Sequence, residues 1–193
     1  MTPRPLGYLP GIGLPRGGLP GEEKVPTEVF EMAKVEQSVD VEAPVRTVYN
    51  QWTQFREFPR FMEGVEEVQQ IGDTRLHWVA QIAGQRREWD AVIEEQTPDE
   101  RISWASTEGA RNGGVVTFHP LDGGMTRVML QMEYDPETFV EKAGDALGLV
   151  ESRVRGDLGR FKEFVEAEGT ETGAWRGEVR DGRAVDDPAQ RTL

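Results

Sequence analysis

The sequence of 193 residues contains no cysteine. That excludes disulfides, thiolate nucleophiles and cysteine-based metal centres together. It holds only two histidines, His77 and His119, too few for a histidine-rich metal centre. No metal and no cofactor is expected. Positive charge is also scarce, because 22 Lys and Arg face 35 Asp and Glu, a formal net charge of −13. A nucleic-acid surface needs a basic stripe to displace counterions, and anionic lipid attracts basic segments. Neither partner suits this acidic protein. No apolar run approaches the ~18 residues of a membrane span, and the first residues lack a signal peptide's apolar core. A soluble, cytoplasmic protein is expected.

What is present begins with proline and glycine. Residues 1–26 contain six of each, and a pentad recurs: Leu9-Pro10-Gly11-Ile12-Gly13, Leu14-Pro15-Arg16-Gly17-Gly18, Leu19-Pro20-Gly21-Glu22-Glu23. Proline removes backbone donors and glycine raises the entropy of ordering, so residues 1–33 are expected to form a flexible, disordered tail. A second reading stays open. Leu9, Leu14 and Leu19 present an apolar side chain every five residues, which suits docking to another protein.

From residue 34 to 168 the pattern is regular. Val35, Gln37, Val39 and Val41 share one face of a first strand. Val45, Val48, Tyr49, Trp52 and Phe55 then fall at helical spacing, and Phe58-Pro59-Arg60-Phe61-Met62 reads as a second, very short helix. Six strands are expected at about 65–71, 75–82, 86–96, 101–106, 115–121 and 126–134. The breaks between them include Gly72-Asp73, Ala83-Gly84, Pro98-Asp99 and Gly113-Gly114. Connections this short favour antiparallel neighbours. Asp135-Pro136-Glu137 carries helix-start chemistry. Beyond it Phe139, Ala143, Leu147, Val150, Val154, Leu158, Phe161 and Val165 make one apolar stripe over roughly seven turns. Four glycines interrupt that helix: Gly144, Gly148, Gly156 and Gly159. Close packing of helix on sheet is the expected reason, with a kink opening a cavity mouth as the alternative. Residues 169–193 read as a polar tail, with Trp175 its only aromatic side chain and a reading in which Trp175 folds back onto the domain left open.

A strand, two short helices, a six-strand meander and a long terminal helix resemble the helix-grip fold of the START-like (SRPBCC) superfamily. Nearest is its bacterial polyketide cyclase/dehydrase and lipid-transport group. The resemblance spans about residues 34–168. It rests on Val39-x-Val41-x-Ala43-Pro44-Val45-x-x-Val48-Tyr49 and Trp52-x-x-Phe55-x-x-Phe58-Pro59-x-Phe61-Met62. Ile102-x-Trp104-x-Ser106, Gly114-x-Val116-x-Phe118-x-Pro120 and Thr126-x-Val128 extend it. Gly173-Ala174-Trp175-Arg176-Gly177-Glu178 also looks like an ending found in a subgroup of such proteins. The implied fold is α+β, a seven-stranded antiparallel curved sheet wrapped around the C-terminal helix, with an apolar cavity between them. Strand parity puts Trp78, Trp89, Trp104, Phe118, Leu130, Met132 and Tyr134 on the concave face, with Ser106. Phe139 and Leu147 of the helix complete the expected ligand-binding set. Aromatic and methionine side chains suit apolar ligands, and they also fill ordinary cores.

Chemistry is thin in this sequence. Parity turns His77 and His119 to solvent, and Glu66-Glu67 and Glu94-Glu95 diverge as strand neighbours. Tyr134 and Ser106 remain as weak catalytic candidates, a lone phenol and a lone hydroxyl without a base. No catalytic residue is assigned. Three functions are carried forward. The first is non-enzymatic binding of an apolar or aromatic, lipid-like or polyketide-like molecule. The second is a scaffold docking a partner through the N-terminal tail, and the third a polyketide cyclase/dehydrase-type enzyme.

Overall fold

Buried positions recur at every second residue within the two strands Gln85–Thr97 and Met125–Tyr134, and that alternation gives the sheet one wet and one dry face. The computed structural model describes residues 32–82, 84–139 and 146–185, with side chains at all of these except 138, 139, 146 and 147. The main sheet comprises β1 (Ala33–Val41), β2 (Val65–Ile71), β3 (Arg75–Ile82), β4 (Gln85–Thr97), β5 (Arg101–Gly109), β6 (Asn112–Leu121) and β7 (Met125–Tyr134). Their spatial order is β1-β7-β6-β5-β4-β3-β2, and each pairing is antiparallel. Irregular registers in β2 and at two points of β4 bend the strands and curve the sheet. Val41, Ile93, Ile102, Val116 and Val128 are buried along the concave face.

The strands run longer than the sequence suggests at one place. Gly113-Gly114 does not separate β5 from β6 but lies inside β6, paired with Ala105 and Trp104. Close approach explains those glycines. A Cβ on Gly114 would sit 2.9 Å from the Trp104 ring.

Between β1 and β2 come α1 (Val45–Trp52) and a 3-10 helix (Phe55–Arg60). After β7, Asp135 accepts a hydrogen bond from the Glu137 amide at 2.9 Å and starts α2 (Pro136–Phe139). The expected stripe continues in α3 (Ala146–Glu168), where Val154, Leu158, Phe161 and Val165 are buried. Residues 140–145, Gly144 among them, lie outside the described residues.

Both flanks of α3 are gripped. On one side Gln37 Nε2 donates to Glu151 (3.1 Å) and Lys162 Nζ to the Asp40 carbonyl (2.7 Å). On the other, Arg160 Nε donates to the Phe61 carbonyl (2.8 Å) and the Glu63 amide to Asp157 (2.8 Å). The glycines of α3 do not serve this packing. A Cβ on Gly148 or Gly159 would meet nothing within 4 Å, and one on Gly156 would meet only the flexible Arg160 side chain. The three lie off the buried stripe, which corrects the expectation of close helix-sheet contact.

The residues after α3 also depart from a plain tail. Residues 178–185 form a hairpin of β8 (Glu178–Arg180) and β9 (Arg183–Val185), so the sheet has nine strands rather than seven. The cause is an open edge. Pairing of β3 with β4 stops at Val92, and Val179 takes the exposed edge opposite Gln96. An unpaired strand edge is a liability that covering removes. Val179 is fully buried there, and Trp175 packs on the main core.

Candidate functional site

A cavity of about 290 Å³ lies between the concave face, the 3-10 helix and α3. Strand alternation delivers Trp78 from β3, Trp89 from β4, Trp104 from β5, and Leu130 and Met132 from β7. The Trp78 and Trp89 rings, cross-strand partners, stack nearly parallel at 5.5 Å and 8°. Trp78 Nε1 is buried without a hydrogen-bond partner among the described residues, an unmet donor in the cavity wall. Trp104 Nε1 donates to Asn112 Oδ1 at 3.2 Å, and Asn112 itself lines the cavity. The helix supplies Val150, Val154, Leu158 and Phe161. Leu149 also lines the cavity yet is 64% exposed, which locates the opening at the N-terminal half of α3.

The expected ligand-binding residues divide. Trp78, Trp89, Trp104, Leu130 and Met132 meet at the cavity. Phe118 and Tyr134 face the same side but stand outside its lining. Phe118 packs edge-on against Tyr49 (5.4 Å) and Trp52 (6.2 Å), deeper in the core. Tyr134 is fully buried at the end of β7, where loss of water pushes its phenol up. Ser106 lines a separate polar groove and accepts the Asn112 amide at 3.0 Å. The side chains of Phe139 and Leu147, and the whole of Leu9, Leu14 and Leu19, fall outside the described residues. Both histidines stand away from the cavity. His77 Nδ1 pairs with Asp90 at 2.7 Å, and His119 Nε2 lies 2.9 Å from the Thr117 hydroxyl.

Sequence parity missed the aromatic floor. Phe55, Phe58 and Phe61 line the cavity from the 3-10 helix and its cap. Residues three apart share one face of a 3-10 helix. The three-residue spacing of Trp52, Phe55, Phe58 and Phe61 was therefore the available signal. Their rings interlock: Phe58 with Phe55 (5.3 Å), Phe61 (5.2 Å) and Trp78 (5.7 Å), and Phe161 with Trp52 (4.8 Å) and Phe61 (5.1 Å).

Charge enters the cavity wall at one corner, through Glu63, Arg153 and Asp157. Burial pushes the Asp157 carboxyl up, against the Glu63 amide and the Arg160 and Arg153 guanidiniums that favour its charged form. Among the described residues, no group of three or more His, Asp or Glu is arranged to hold a metal.

A second polar cluster sits beneath α1. Arg176 binds Asp99 through both terminal guanidinium nitrogens (2.9 and 2.7 Å) and donates to Asn50 Oδ1 (2.9 Å). Its guanidinium lies 5.6 Å from the Tyr49 ring centroid. Gln96 Nε2 donates to the Tyr49 hydroxyl at 2.8 Å, and burial pushes that phenol up to about 12. Asp99, at φ 66°, holds a left-handed turn that aspartate tolerates better than most residues.

A curved antiparallel sheet closed by a long C-terminal helix over an apolar cavity defines a START-like, helix-grip domain. The chain belongs to the polyketide cyclase / dehydrase and lipid transport family, whose model matches residues 41–163. A Streptomyces lincolnensis relative, an uncharacterized 17.2 kDa protein, is 54% identical over 149 residues, 77% of this chain and 99% of its own. The Thermus thermophilus protein TTHA0849 is 25% identical with a TM-score of 0.58, over 72% of this chain and all of that one. The Zhui aromatase/cyclase from Streptomyces sp. R1128 reaches a TM-score of 0.59 at 17% identity, over 75% of this chain and 100% of its own. At that identity the likeness shows the fold alone.

Proposed function

We propose that this protein is a cytoplasmic, non-enzymatic binding module for one small, flat, apolar or aromatic molecule. The carrying observation is the wall of the cavity. Trp78, Trp89, Trp104, Phe55, Phe58 and Phe61 converge on about 290 Å³ that no side chain of the described residues fills. At about 290 Å³ the space stands just under the ~300 Å³ at which ligand pockets begin, so it has room for a compact ring system and not for a long lipid. Stacked and tilted rings offer faces on which a second aromatic body packs offset or edge-on. The acid-base candidates Tyr134 and Ser106 stand outside the lining, and the lining's carboxylates Glu63 and Asp157 are engaged by Arg160, which favours binding over a cyclase or dehydrase reaction. A scaffold without a ligand would gain from filling this space, because an empty apolar cavity forfeits packing energy.

The test is native mass spectrometry of the protein purified from its own host, followed by denaturing extraction. A stoichiometric small molecule released on denaturation is the expected result. An empty chain, or one that carries a partner protein instead, overturns the reading.

A further inference from the structure

Of the three charged side chains in the cavity wall, two are occupied within the protein. Asp157 accepts the Glu63 amide at 2.8 Å and pairs with Arg160. Glu63 lies 3.6 Å from the same Arg160 guanidinium. Arg153 differs. Among the described residues its one hydrogen-bond acceptor is the Gln81 carbonyl, 3.2 Å from Nη1, and no carboxylate lies within ion-pair distance. Arginine offers five donors in a rigid planar fork, which matches a carboxylate. Most of that fork meets no acceptor among the described residues.

The guanidinium is also held in place. Gly64, at φ 77°, turns the chain so that its carbonyl accepts the Gln81 amide at 2.7 Å. A Cβ at position 64 would stand 2.6 Å from the Gln81 oxygen and 3.3 Å from Arg153 Nη1. The glycine therefore lets three segments meet, and Gln81 anchors one edge of the fork. Along α3, Arg153 follows the exposed Leu149 by one turn and precedes Leu158 and Phe161 in the cavity. It stands between the opening and the aromatic floor. The chain carries 35 acidic and 22 basic side chains. Arg153 interacts electrostatically with Asp157 across the corner, yet it bonds no carboxylate among the described residues, which leaves its donors available to an anion from outside.

We propose that Arg153 is a specificity-determining residue that selects ligands bearing a carboxylate, held at the opening while the apolar body fills the cavity. This rests on the reading of the cavity as a ligand site. A charge-assisted hydrogen bond is stronger than a neutral one, and a bidentate pair adds orientation. Arg153 accordingly fixes which end of the ligand enters first.

The experiment is titration calorimetry of the full chain and of Arg153→Gln with naphthalene-2-carboxylate, its methyl ester and decanoate. The ester keeps the ring and removes the charge. Decanoate keeps the charge on an alkyl chain, which separates an aromatic acid from a fatty acid as the source of the carboxylate. The wild type is expected to bind naphthalene-2-carboxylate more tightly than the ester. Arg153→Gln should weaken the acid about tenfold to a hundredfold and leave the ester within about twofold. Arg153→Lys, which keeps the charge without the fork, should fall between. An Arg153-dependent affinity for decanoate alone supports carboxylate selection and assigns it to an alkyl chain. Equal weakening of acid and ester, or no weakening of either acid, overturns the selection by Arg153 while the cavity reading stands. If neither the acids nor the ester binds either protein, the cavity reading fails and this inference with it.

Discussion

Beneath α1, the buried side chains of Asn50, Gln51 and Thr53 each find a partner in residues 171–176, whereas across the cavity Trp78, Trp104 and Met132 meet mostly apolar neighbours. Asn50 Nδ2 donates to Glu171 (2.8 Å), Gln51 exchanges two hydrogen bonds with Thr172 (3.1 and 2.9 Å), and Thr53 Oγ1 accepts the Trp175 amide (3.0 Å). Such a network has one good geometry, because a buried polar group left unmatched costs about 1–3 kcal/mol. Apolar contacts are non-directional. They can therefore open for a ligand without orphaning donors or acceptors. One end of the domain is thus fastened by direction, and the other is left adaptable by its lack of it.

The sharpest way to break this comparison is to remove the fastening. Ending the chain after Glu168 strips partners from Asn50, Gln51, Thr53 and Asp99 and deletes the fully buried Val179. Burying a valine alone is worth about 1.5–3 kcal/mol. The truncation should lose at least about 3 kcal/mol, a fall in Tm of roughly 6–12 °C followed by circular dichroism. Arg176→Met, the milder variant, should lose about 1.5–3 kcal/mol through its charge-assisted bonds. A truncated chain that melts within about 2 °C of the wild type would show that the strap formed by residues 171–179 merely rests on the domain.

How the sequence foretold these two ends differs for a physical reason. The cavity was legible because strand parity is a strict period of two: once Trp104 is placed inward, Trp78, Trp89, Leu130 and Met132 follow through the ladder. Parity fixes the face but not the depth, so it could not separate Phe118 and Tyr134, buried in packed core, from the residues around open space. It also has no purchase on a 3-10 helix, which is why Phe55, Phe58 and Phe61 escaped. The strap was illegible for another reason. Asn50, Gln51 and Thr53 look like the wet face of an amphipathic helix, and only partners about 120 positions later make their burial tolerable. Gly173-Ala174-Trp175-Arg176-Gly177-Glu178 stood out as a likeness. Its role needed the Asp99 turn and the open β4 edge to be seen together.

A smaller effect tests the helix that joins both ends. Gly159 sits within α3 with nothing within 4 Å of a Cβ added there. Glycine in a helix interior is less favourable than alanine by about 0.8–1 kcal/mol. Gly159→Ala should stabilise the protein by up to about that amount, raising Tm by roughly 2–4 °C. A lowered Tm would place this position in contact with the domain and restore the packing role first expected of the α3 glycines.

The smallest effect separates the two ends by sign. At the strap, hydrogen bonding from the Asn50 side chain holds the Glu171 carboxyl below its ordinary value of 4.5. Its contribution is fully present above that value and is lost as pH falls through the lowered one. At the cavity corner, burial pushes the Asp157 carboxyl above its ordinary 3.8, so its charged form is the disfavoured one when folded. Its penalty is complete above the raised value and vanishes as pH falls toward 3.8. Acid should therefore weaken the strap while relieving the cavity corner. Urea unfolding of the wild type, Glu171→Gln and Asp157→Asn across the acid range isolates each group, since the other carboxylates are common to each pair and cancel in the difference. The advantage of wild type over Glu171→Gln should shrink on acidification. The stability of wild type relative to Asp157→Asn should rise over the same change. Two differences that run in the same direction would mean that Asp157 is held by its guanidinium neighbours more than it is burdened by burial, and that both ends are fastened by direction after all.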